Sequence, residues 1–250
     1  MITSYFRPST LEEAVALLSG PDTRPLGGGT RLSQPSSRQV AVVDLQDLGL
    51  DRIRSHTDRL ELGATLTLQA MLESALVPVA LRAALRLEAP LNLRNQGTLG
   101  GNVASADGRS GLLACLLALD AGLVLAGPDP EKTSLGQFLP VRNSALAGKI
   151  ITRVDLPLHA KLAFEAVSRT PADRPIVCTA LARWPSGRTR LVLGGWGALP
   201  LLALDGNEPG GVSAAARNTF SEAGDPWASA EYRAEIAGIL AERCLESCRA

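Results

Sequence analysis

Apolar residues near the start of the chain recur every three or four positions, which predicts an amphipathic helix. They are Leu11, Ala14, Val15 and Leu18. Ser9 stands before this segment with Glu12 three residues on, which is the spacing of a capping box, and Gly20 follows it. The first helix is therefore expected to begin after Ser9 and to end at Gly20.

Short apolar runs and further helical patterns alternate from there to beyond the middle of the chain. Strands are expected near Arg24–Leu26 and over Val40–Leu45, Leu60–Ala64, Gly122–Ala126 and Ile150–Leu156, and helices from Thr67 to Glu73 and over Val79–Glu88 and Leu112–Leu119. The segment Arg31–Gln39, between the first two strands, contains serine and proline and leaves room for only a turn of helix. This alternation indicates an α+β or α/β fold.

The pattern changes after a boundary near Pro157–Lys161. Three apolar runs separated by turns predict an antiparallel meander, over Leu162–Ser168, Ile176–Trp184 and Arg190–Trp196. A loop is expected at Asp205–Gly211, and helices over Val212–Glu222 and Ala228–Cys248 close the chain. The three tryptophans of this part are expected in the core: Trp184, Trp196 and Trp227.

The composition narrows the class of protein without identifying it. The chain has 250 residues, 46% of them hydrophobic, which is enough for a large core in one to three domains. Lys plus Arg and Asp plus Glu number 25 each, so no basic face for nucleic acid is implied. We expect no signal peptide, because the N-terminus lacks a basic region followed by an apolar one, and no membrane span.

The cysteines and histidines do not form the pattern of a metal site. The four cysteines, which include no Cys-x-x-Cys pair, are Cys115, Cys178, Cys244 and Cys248. We expect free thiols in a reducing cytoplasm, so if this chain exchanges electrons with an iron–sulfur cluster, that cluster lies on another chain. His56 and His159 stand alone in the sequence, and no metal ligand is expected.

The candidate chemistry is concentrated between Leu93 and Ala106, here called the second glycine stretch. Its glycines are Gly97, Gly100 and Gly101, and its short side-chain donors are Thr98, Asn102 and Ser105. Glycines let the backbone come close to a ligand, and successive free N–H groups form a nest for anions. The stretch is therefore either an anion-binding loop or a plain glycine-rich turn between two strands.

An earlier segment, Pro25–Thr30, repeats this chemistry with three consecutive glycines and is called the first glycine stretch. Together the two stretches could hold a pyrophosphate, because backbone N–H groups bind its charge without burying a counter-charge. The dinucleotide-binding Gly-x-Gly-x-x-Gly pattern is absent, since Leu32 stands where a third glycine would be. A Walker motif is absent too, because Gly148-Lys149 lacks the upstream glycine and the following Ser or Thr.

The residues around both stretches resemble the FAD-binding, or medium, subunit of molybdenum hydroxylases, the xanthine dehydrogenase and carbon monoxide dehydrogenase family. Gly28-Gly29-Thr30 resembles the first flavin loop of that family. Leu93-Arg94-Asn95 followed by Thr98–Asn102 resembles the second. The likeness extends over nearly the whole chain and includes Tyr5–Pro8, Phe164–Arg169 and Ser229–Arg233.

This resemblance implies an α+β chain with a two-subdomain FAD-binding fold of the vanillyl-alcohol-oxidase type, over residues 1–55 and 56–158. A C-terminal domain over 159–250 is expected to contain a three-stranded antiparallel sheet and helices. FAD is the implied cofactor, bound non-covalently, and no catalytic residue is implied. The implied FAD-binding residues are Leu26, Gly27, Gly28, Gly29, Thr30, Arg31, Asn95, Thr98, Leu99, Gly100, Gly101, Asn102 and Ser105.

Three positions depart from the family pattern. Arg31 follows Thr30 where the family usually has an aspartate. Gly111 stands where an aspartate holds the ribityl or ring side of the flavin. Glu165 stands near the start of the third domain, where some members use a lysine.

The resemblance further implies an electron-transfer subunit that takes electrons from iron–sulfur clusters on a partner chain and passes them to an external acceptor. The implied partners are an iron–sulfur subunit and a molybdopterin-binding large subunit, in a cytoplasmic heterotrimer or its dimer. Two alternatives stay open: a non-catalytic assembly subunit with a degenerate flavin site, and a stand-alone flavin oxidoreductase. A stand-alone enzyme should carry polar catalytic groups in a substrate pocket, and the sequence offers none.

Overall fold

Three sheets follow one another along the chain in the computed structural model, which describes residues 1–34, 37–171, 173–207 and 209–249. The mixture of separate sheets and helices confirms the α+β class. The predicted turn segment 31–39 includes residues 35 and 36, and the predicted loop 205–211 includes residue 208, all of which lie outside the described residues. Within the described ranges no helix is both long and apolar enough to cross a membrane.

The first sheet is parallel and has the order β1-β3-β2. Its strands are β1 (Ile2–Phe6), β2 (Thr23–Leu26) and β3 (Val40–Asp44). β2 and β3 confirm two predicted strands, and the first glycine stretch leaves the sheet at the end of β2. β1 was not predicted, because all five of its residues are exposed and no alternation marks it.

Helix α1 covers Leu11–Leu17, but its N-cap differs from the prediction. Thr10 Oγ1 accepts the N–H of Glu13 at 3.2 Å, and the Glu13 carboxylate accepts the N–H of Ser9 at 3.1 Å. Thr10 therefore replaces Ser9 as the cap, and Glu13 replaces Glu12 as its partner. The cap shifts by one residue because the neighbouring pair offers the same hydroxyl and carboxylate at the same spacing.

The second sheet is antiparallel and has the order β4-β5-β8-β6-β7. Its strands are β4 (Ile53–Ser55), β5 (Arg59–Gly63), β6 (Gly122–Ala126), β7 (Glu131–Ser134) and β8 (Ile150–Pro157). The three inner strands match predicted ones within a residue. The two edge strands, β4 and β7, were missed because they are short and carry few apolar residues.

Helices between these strands supply about half of the large central core. They are α2 (Leu68–Glu73), α3 (Val79–Glu88), α4 (Leu91–Gln96), α5 (Leu99–Ser105) and α6 (Gly111–Ala118), followed by the short α7 (Leu135–Phe138) and α8 (Arg142–Ala145). The bounds of α3 and the Thr67 cap of α2 are as predicted. Every residue of α6 is buried, because this helix packs between α3 and the third sheet.

The third sheet is an antiparallel meander of four strands, not the predicted three. The strands are β9 (Lys161–Val167), β10 (Val177–Arg183), β11 (Thr189–Gly194) and β12 (Leu201–Gly206). β12 takes the first two residues of the predicted loop. Helices α9 (Val212–Thr219) and α10 (Ala230–Arg249) cover this sheet and form a core with it, close to the predicted positions.

Candidate functional site

The first glycine stretch ends in a turn whose backbone donors point at no acceptor. The N–H groups of Gly27, Gly28, Gly29 and Thr30 donate no hydrogen bond to any residue of the described ranges. Gly29 has φ +73°, a left-handed conformation that glycine adopts without strain. All four residues are half-buried rather than fully exposed. Four successive unused donors at the end of a strand are suited to bind an anion.

Glycine is required in this turn because another part of the chain lies against it. A Cβ atom at Gly28 would overlap the carbonyl oxygen of Gln96, at the end of α4. A Cβ atom at Gly27 would lie 2.7 Å from Thr98 Oγ1. The two glycine stretches therefore touch, and the contact fixes the position of the turn with its free amides.

The second glycine stretch is not the open loop that its composition indicates. It forms α4 and α5, which are joined at Gly97 and Thr98. Its amides are mostly engaged: Leu99 N donates to Leu66 O at 2.9 Å and Gly100 N donates to Ala64 O at 2.8 Å. Three further amides also have acceptors, namely Gly97 N with Leu93 O at 2.6 Å, Gly101 N with Thr98 Oγ1 at 3.2 Å and Asn102 N with Thr98 O at 2.9 Å. The expected nest of free N–H groups is thus wrong for this stretch.

Two cavities that share several lining residues, here called the cleft, bring the two stretches together. The smaller, of about 130 Å³, is lined among others by Gly27, Gly28, Gly29, Thr30, Arg31, Thr98, Gly101 and Ser105. The larger, of about 190 Å³, shares Thr30, Arg31, Thr98, Gly101 and Ser105 and adds Asn102. Leu26 and Asn95 line a third cavity of about 680 Å³, which also contacts the first glycine stretch.

Two of the residues predicted for the site lie behind the cleft instead. Leu99 is fully buried in the central core. Gly100 packs on Ala64, where an added Cβ would be 2.9 Å from the Ala64 Cβ, and it lines a small, mainly apolar cavity of about 90 Å³. Both residues support the second glycine stretch rather than face the larger cavities.

Three charged residues of the cleft were missed by sequence reasoning: Glu88, Asp107 and Arg174. Glu88 ends α3 and is only 8% exposed. Its carboxylate accepts hydrogen bonds from Asn102 Nδ2 at 2.8 Å and Ser110 Oγ at 3.0 Å. Burial raises the pKa of the Glu88 carboxyl, although those hydrogen bonds act in the opposite direction. In the sequence Glu88 is simply the polar end of an amphipathic helix, so no signal marks it.

Arg174 reaches the cleft from the loop between β9 and β10. Its guanidinium forms two hydrogen bonds with the Asp107 carboxylate, at 2.5 and 3.2 Å. Burial opposes ionisation of Asp107, but Arg174 outweighs it and lowers the pKa of that carboxyl. Arg109 adds bonds to the backbone oxygens of Arg174 at 2.8 Å and Pro175 at 3.0 Å. The third sheet is thereby tied to the end of the second glycine stretch.

Arg31 and Arg142 add positive charge near the first glycine stretch. Arg31 is exposed and lines both cavities. Arg142, on α8, donates to the backbone oxygen of Ala106 at 2.6 Å. Burial and the nearby charge of Arg31 both lower the pKa of Arg142, so the two cations lie close to each other. Arg31 thus makes this part of the cleft favourable for an anion, although the family pattern has an aspartate in its place.

The other two positions that depart from the family pattern are Gly111 and Glu165. Gly111 begins α6 and is buried, and an added Cβ would be 2.9 Å from the Phe164 ring. Ser110 caps this helix by accepting the N–H of Leu113 at 3.0 Å. Glu165 lies in β9, paired with Thr179 of β10.

Trp227 is not the core residue that was predicted. Its side chain is exposed, and the guanidinium groups of Arg109 and Arg169 lie 4.7 and 5.4 Å from its ring centroid. This stacking is a cation–π arrangement on the surface. It holds Arg109 in the orientation that reaches the Arg174 backbone.

The four cysteines are buried and form no disulfide. Burial raises the pKa of each thiol, to about 12 for Cys178. These residues are therefore protonated core side chains. In the part of the chain that the structure describes, no group of three His, Cys, Asp or Glu side chains is placed to hold a metal ion.

Comparison with known proteins gives one family match and close structural neighbours. Residues 1–159 match the family model described as the FAD binding domain in molybdopterin dehydrogenase. The Escherichia coli K12 protein YgfM is 29% identical over all of this chain and 97% of its own length. The carbon monoxide dehydrogenase medium chain of Afipia carboxidovorans is 28% identical, over 98% of this chain and 96% of its own. A chain in the crystal structure of cyanide-inactivated Cu,Mo-CO dehydrogenase superposes with a TM-score of 0.81 at 26% identity, covering 100% of this chain and 98% of that one.

Proposed function

This chain belongs to the family of FAD-binding domains in molybdopterin dehydrogenases, and we propose that it is the electron-transfer flavoprotein subunit of a molybdenum hydroxylase complex. Its cofactor is FAD, and it is a subunit of an oxidoreductase of the xanthine dehydrogenase type. In the proposed role it takes electrons from iron–sulfur clusters on a partner chain and passes them to an external acceptor.

The observation that carries this proposal is the set of free amides at Gly27–Thr30. A pyrophosphate brings negative charge into a half-buried site and needs donors there. The turn offers four N–H groups without a competing carboxylate among its own residues, and Arg31 adds a full positive charge beside it. The residues present therefore fit the pyrophosphate of FAD, and we assign that group to the first glycine stretch.

The second glycine stretch has a different part in this proposal. Thr98, Gly101, Asn102 and Ser105 form the opposite wall of the cleft and would contact the cofactor through side chains and helix surface. Leu26 and Asn95 would bound its neighbouring cavity. When bound, FAD supplies the redox chemistry, and these residues bind and orient it.

The proposed domain division follows the three sheets. Residues 1–55 and 56–158 would be the two subdomains of a vanillyl-alcohol-oxidase-type FAD fold, with the cleft between them. Residues 159–250 would be the C-terminal domain, which reaches the cleft through Arg174. The sheet order and the position of the glycine stretches at the join of the first two units support this division.

The proposed partners are an iron–sulfur subunit and a molybdopterin-binding large subunit, in a heterotrimer or its dimer. Two features support them: the relatives include a carbon monoxide dehydrogenase medium chain, and no metal-binding group occurs within the described residues. Four buried free thiols fit a reducing compartment, and we place the complex in the cytoplasm.

Reconstitution tests this proposal. The purified chain should show the absorption bands of flavin, or gain them when FAD is added, and should transfer no electrons from an organic substrate by itself. Addition of the iron–sulfur and molybdenum chains should restore substrate-to-acceptor electron flow. A chain that never binds FAD but is needed for assembly of the other two would be the non-catalytic alternative. A chain that oxidises a substrate unaided would be a stand-alone flavoenzyme.

A further inference from the structure

Glu88 is an unusual residue for the wall of a cofactor cleft. Its carboxylate is 8% exposed and accepts three hydrogen bonds, from Asn102 Nδ2 at 2.8 Å, Ser110 Oγ at 3.0 Å and the Leu112 backbone N–H at 3.3 Å. No Lys, Arg or His of the described chain forms an ion pair with it. The nearby Arg174 is bonded to Asp107 instead. Burying a carboxylate without a bonded cation is unfavourable.

Helix capping does not account for this carboxylate. Ser110 already caps α6 through its bond to the Leu113 N–H at 3.0 Å. A neutral acceptor in place of Glu88 could receive the Leu112 N–H with less desolvation. A carboxylate differs from a neutral amide at this position in having two acceptor oxygens, and the shortest bond that it accepts is the one from Asn102 Nδ2.

A carboxylate determines the orientation of a neighbouring carboxamide, because it decides whether the NH₂ group or the oxygen faces it. Glu88 Oε1 accepts a hydrogen bond from Asn102 Nδ2 at 2.8 Å, so the NH₂ group of Asn102 faces Glu88. The amide oxygen of Asn102 is then left with a single long contact, 3.5 Å from Ser110 Oγ. Asn102 is half-buried and lines the cleft. Its oxygen, and the second N–H of its NH₂ group, are therefore available to a ligand there.

We propose that Glu88 is a positioning residue for FAD, which fixes the Asn102 carboxamide so that its oxygen accepts a hydrogen bond from the cofactor. This inference rests on the proposed function. The lining of the cleft favours it, because the free amides of Gly27, Gly28 and Gly29, which suit the pyrophosphate, line the smaller cavity and not the larger one. Glu88 and Asn102 line only the larger cavity, where a carboxylate disfavours a phosphate group, so Asn102 meets a neutral, hydroxyl- or amide-bearing part of FAD.

Reversing the polarity of the pair tests this role. Glu88→Gln leaves a shape-matched side chain whose oxygen can satisfy the Leu112 N–H, so its NH₂ group faces Asn102 and turns that carboxamide round. Asn102→Asp places two carboxylates where a 2.8 Å hydrogen bond stood. In the double variant, the introduced glutamine can donate its amide N–H to the introduced aspartate, and the pair is complete again.

The measurement is the FAD dissociation constant of the full chain, from flavin fluorescence, with the thermal unfolding midpoint of each variant recorded in parallel. Glu88→Gln should weaken FAD binding about tenfold and Asn102→Asp about 100-fold or more, while the double variant returns to within about tenfold of the wild type. Glu61→Gln is the matched control, since Glu61 is also buried, at 6% exposure, but pairs with Arg59 and Arg153 away from the cleft. It should leave FAD affinity unchanged.

Two results would overturn the inference while the wild type still binds FAD. One is wild-type affinity in both single variants. The other is a double variant whose loss equals the product of the single losses, because two independent structural defects multiply and are not rescued. If the wild type itself fails to bind FAD, the proposed function fails first, so the two failures are distinguishable.

Discussion

The two glycine stretches have similar compositions but opposite structures. In the first, the amides of Gly27, Gly28, Gly29 and Thr30 have no acceptor among the described residues. In the second, the amides of Leu99, Gly100 and Gly101 all have one. A glycine at the end of a strand leaves its amide free, whereas a glycine in a short helix gives its amide to the fold. Composition therefore locates a cleft, but only topology tells which wall binds an anion.

Gly28→Val should have the largest effect on FAD binding, because it disrupts the first glycine stretch, whose amides are free. The new side chain would overlap the Gln96 carbonyl, so the turn must move and its four amides with it. We expect FAD affinity to fall by at least about 100-fold, with a smaller loss of stability, measured by fluorescence titration and thermal unfolding. Gly206→Val is the control, because no atom of the described residues lies within 4 Å of a Cβ at that position in β12. Unchanged affinity in Gly28→Val would remove the first stretch as the pyrophosphate site.

Gly100→Val should have the opposite balance of effects. An added side chain at Gly100 meets the Ala64 Cβ at 2.9 Å and the Ala64 oxygen at 3.0 Å inside the fold. Overpacking of this kind costs about 1–3 kcal/mol of unfolding free energy. Urea denaturation would measure it, and the folded fraction should retain most of its FAD affinity. Complete loss of FAD from a fully folded Gly100→Val chain would show that the second stretch contacts the cofactor directly at this point.

Thr98→Ala tests whether the second glycine stretch contacts FAD at Thr98 or whether Thr98 only stabilises the fold. Thr98 Oγ1 caps α5 by accepting the Gly101 N–H at 3.2 Å, and Thr10 Oγ1 caps α1 by accepting the Glu13 N–H at 3.2 Å. Each Thr→Ala change should lower the unfolding free energy by about 1 kcal/mol. Thr10→Ala should leave FAD affinity unchanged, so any weakening seen only with Thr98→Ala measures direct contact of Thr98 with the cofactor. Equal FAD affinity in both variants would assign Thr98 to the fold alone.

The smallest expected effect is a pH dependence from Glu88. Burial raises its folded-state pKa above 4.5, so between that value and the raised one the folded chain holds a proton that the unfolded chain has lost. The unfolding free energy should therefore fall as pH rises through this window. Glu88→Gln should remove that slope when wild type and variant are compared by urea unfolding at a series of pH values. Parallel curves for the two proteins would contradict the raised pKa.

Local pattern was sufficient for some elements. α3 has the predicted bounds because its apolar face repeats with a helical period and ends just before Ala89-Pro90, which precedes α4. The Thr67 cap of α2 and the inner strands of the second sheet were also predicted from their local sequence patterns. β1 could not be found, since a strand exposed along its whole length has no apolar alternation to reveal it.

Less of the candidate site than of the fold could be predicted from the sequence. The glycine-rich composition of both stretches indicated ligand contact, but it could not show that Leu99 points into the core or that α5 uses its own amides. Glu88 and Arg174 reach the cleft from α3 and from the β9–β10 loop, far apart in the sequence. Only the packing of three sheets brings these charges together, and no local motif encodes it.

Amide hydrogen exchange with and without FAD, read by nuclear magnetic resonance on the full chain, tests the central claim most directly. The amides of Gly27, Gly28, Gly29 and Thr30 should exchange fast in the free protein and slow strongly when FAD binds, because the cofactor supplies their missing acceptor. The amides of Leu99 and Gly100 should be protected in both states. Fast exchange at Gly27–Thr30 that FAD leaves unchanged, with new protection confined to the second stretch, would contradict the account.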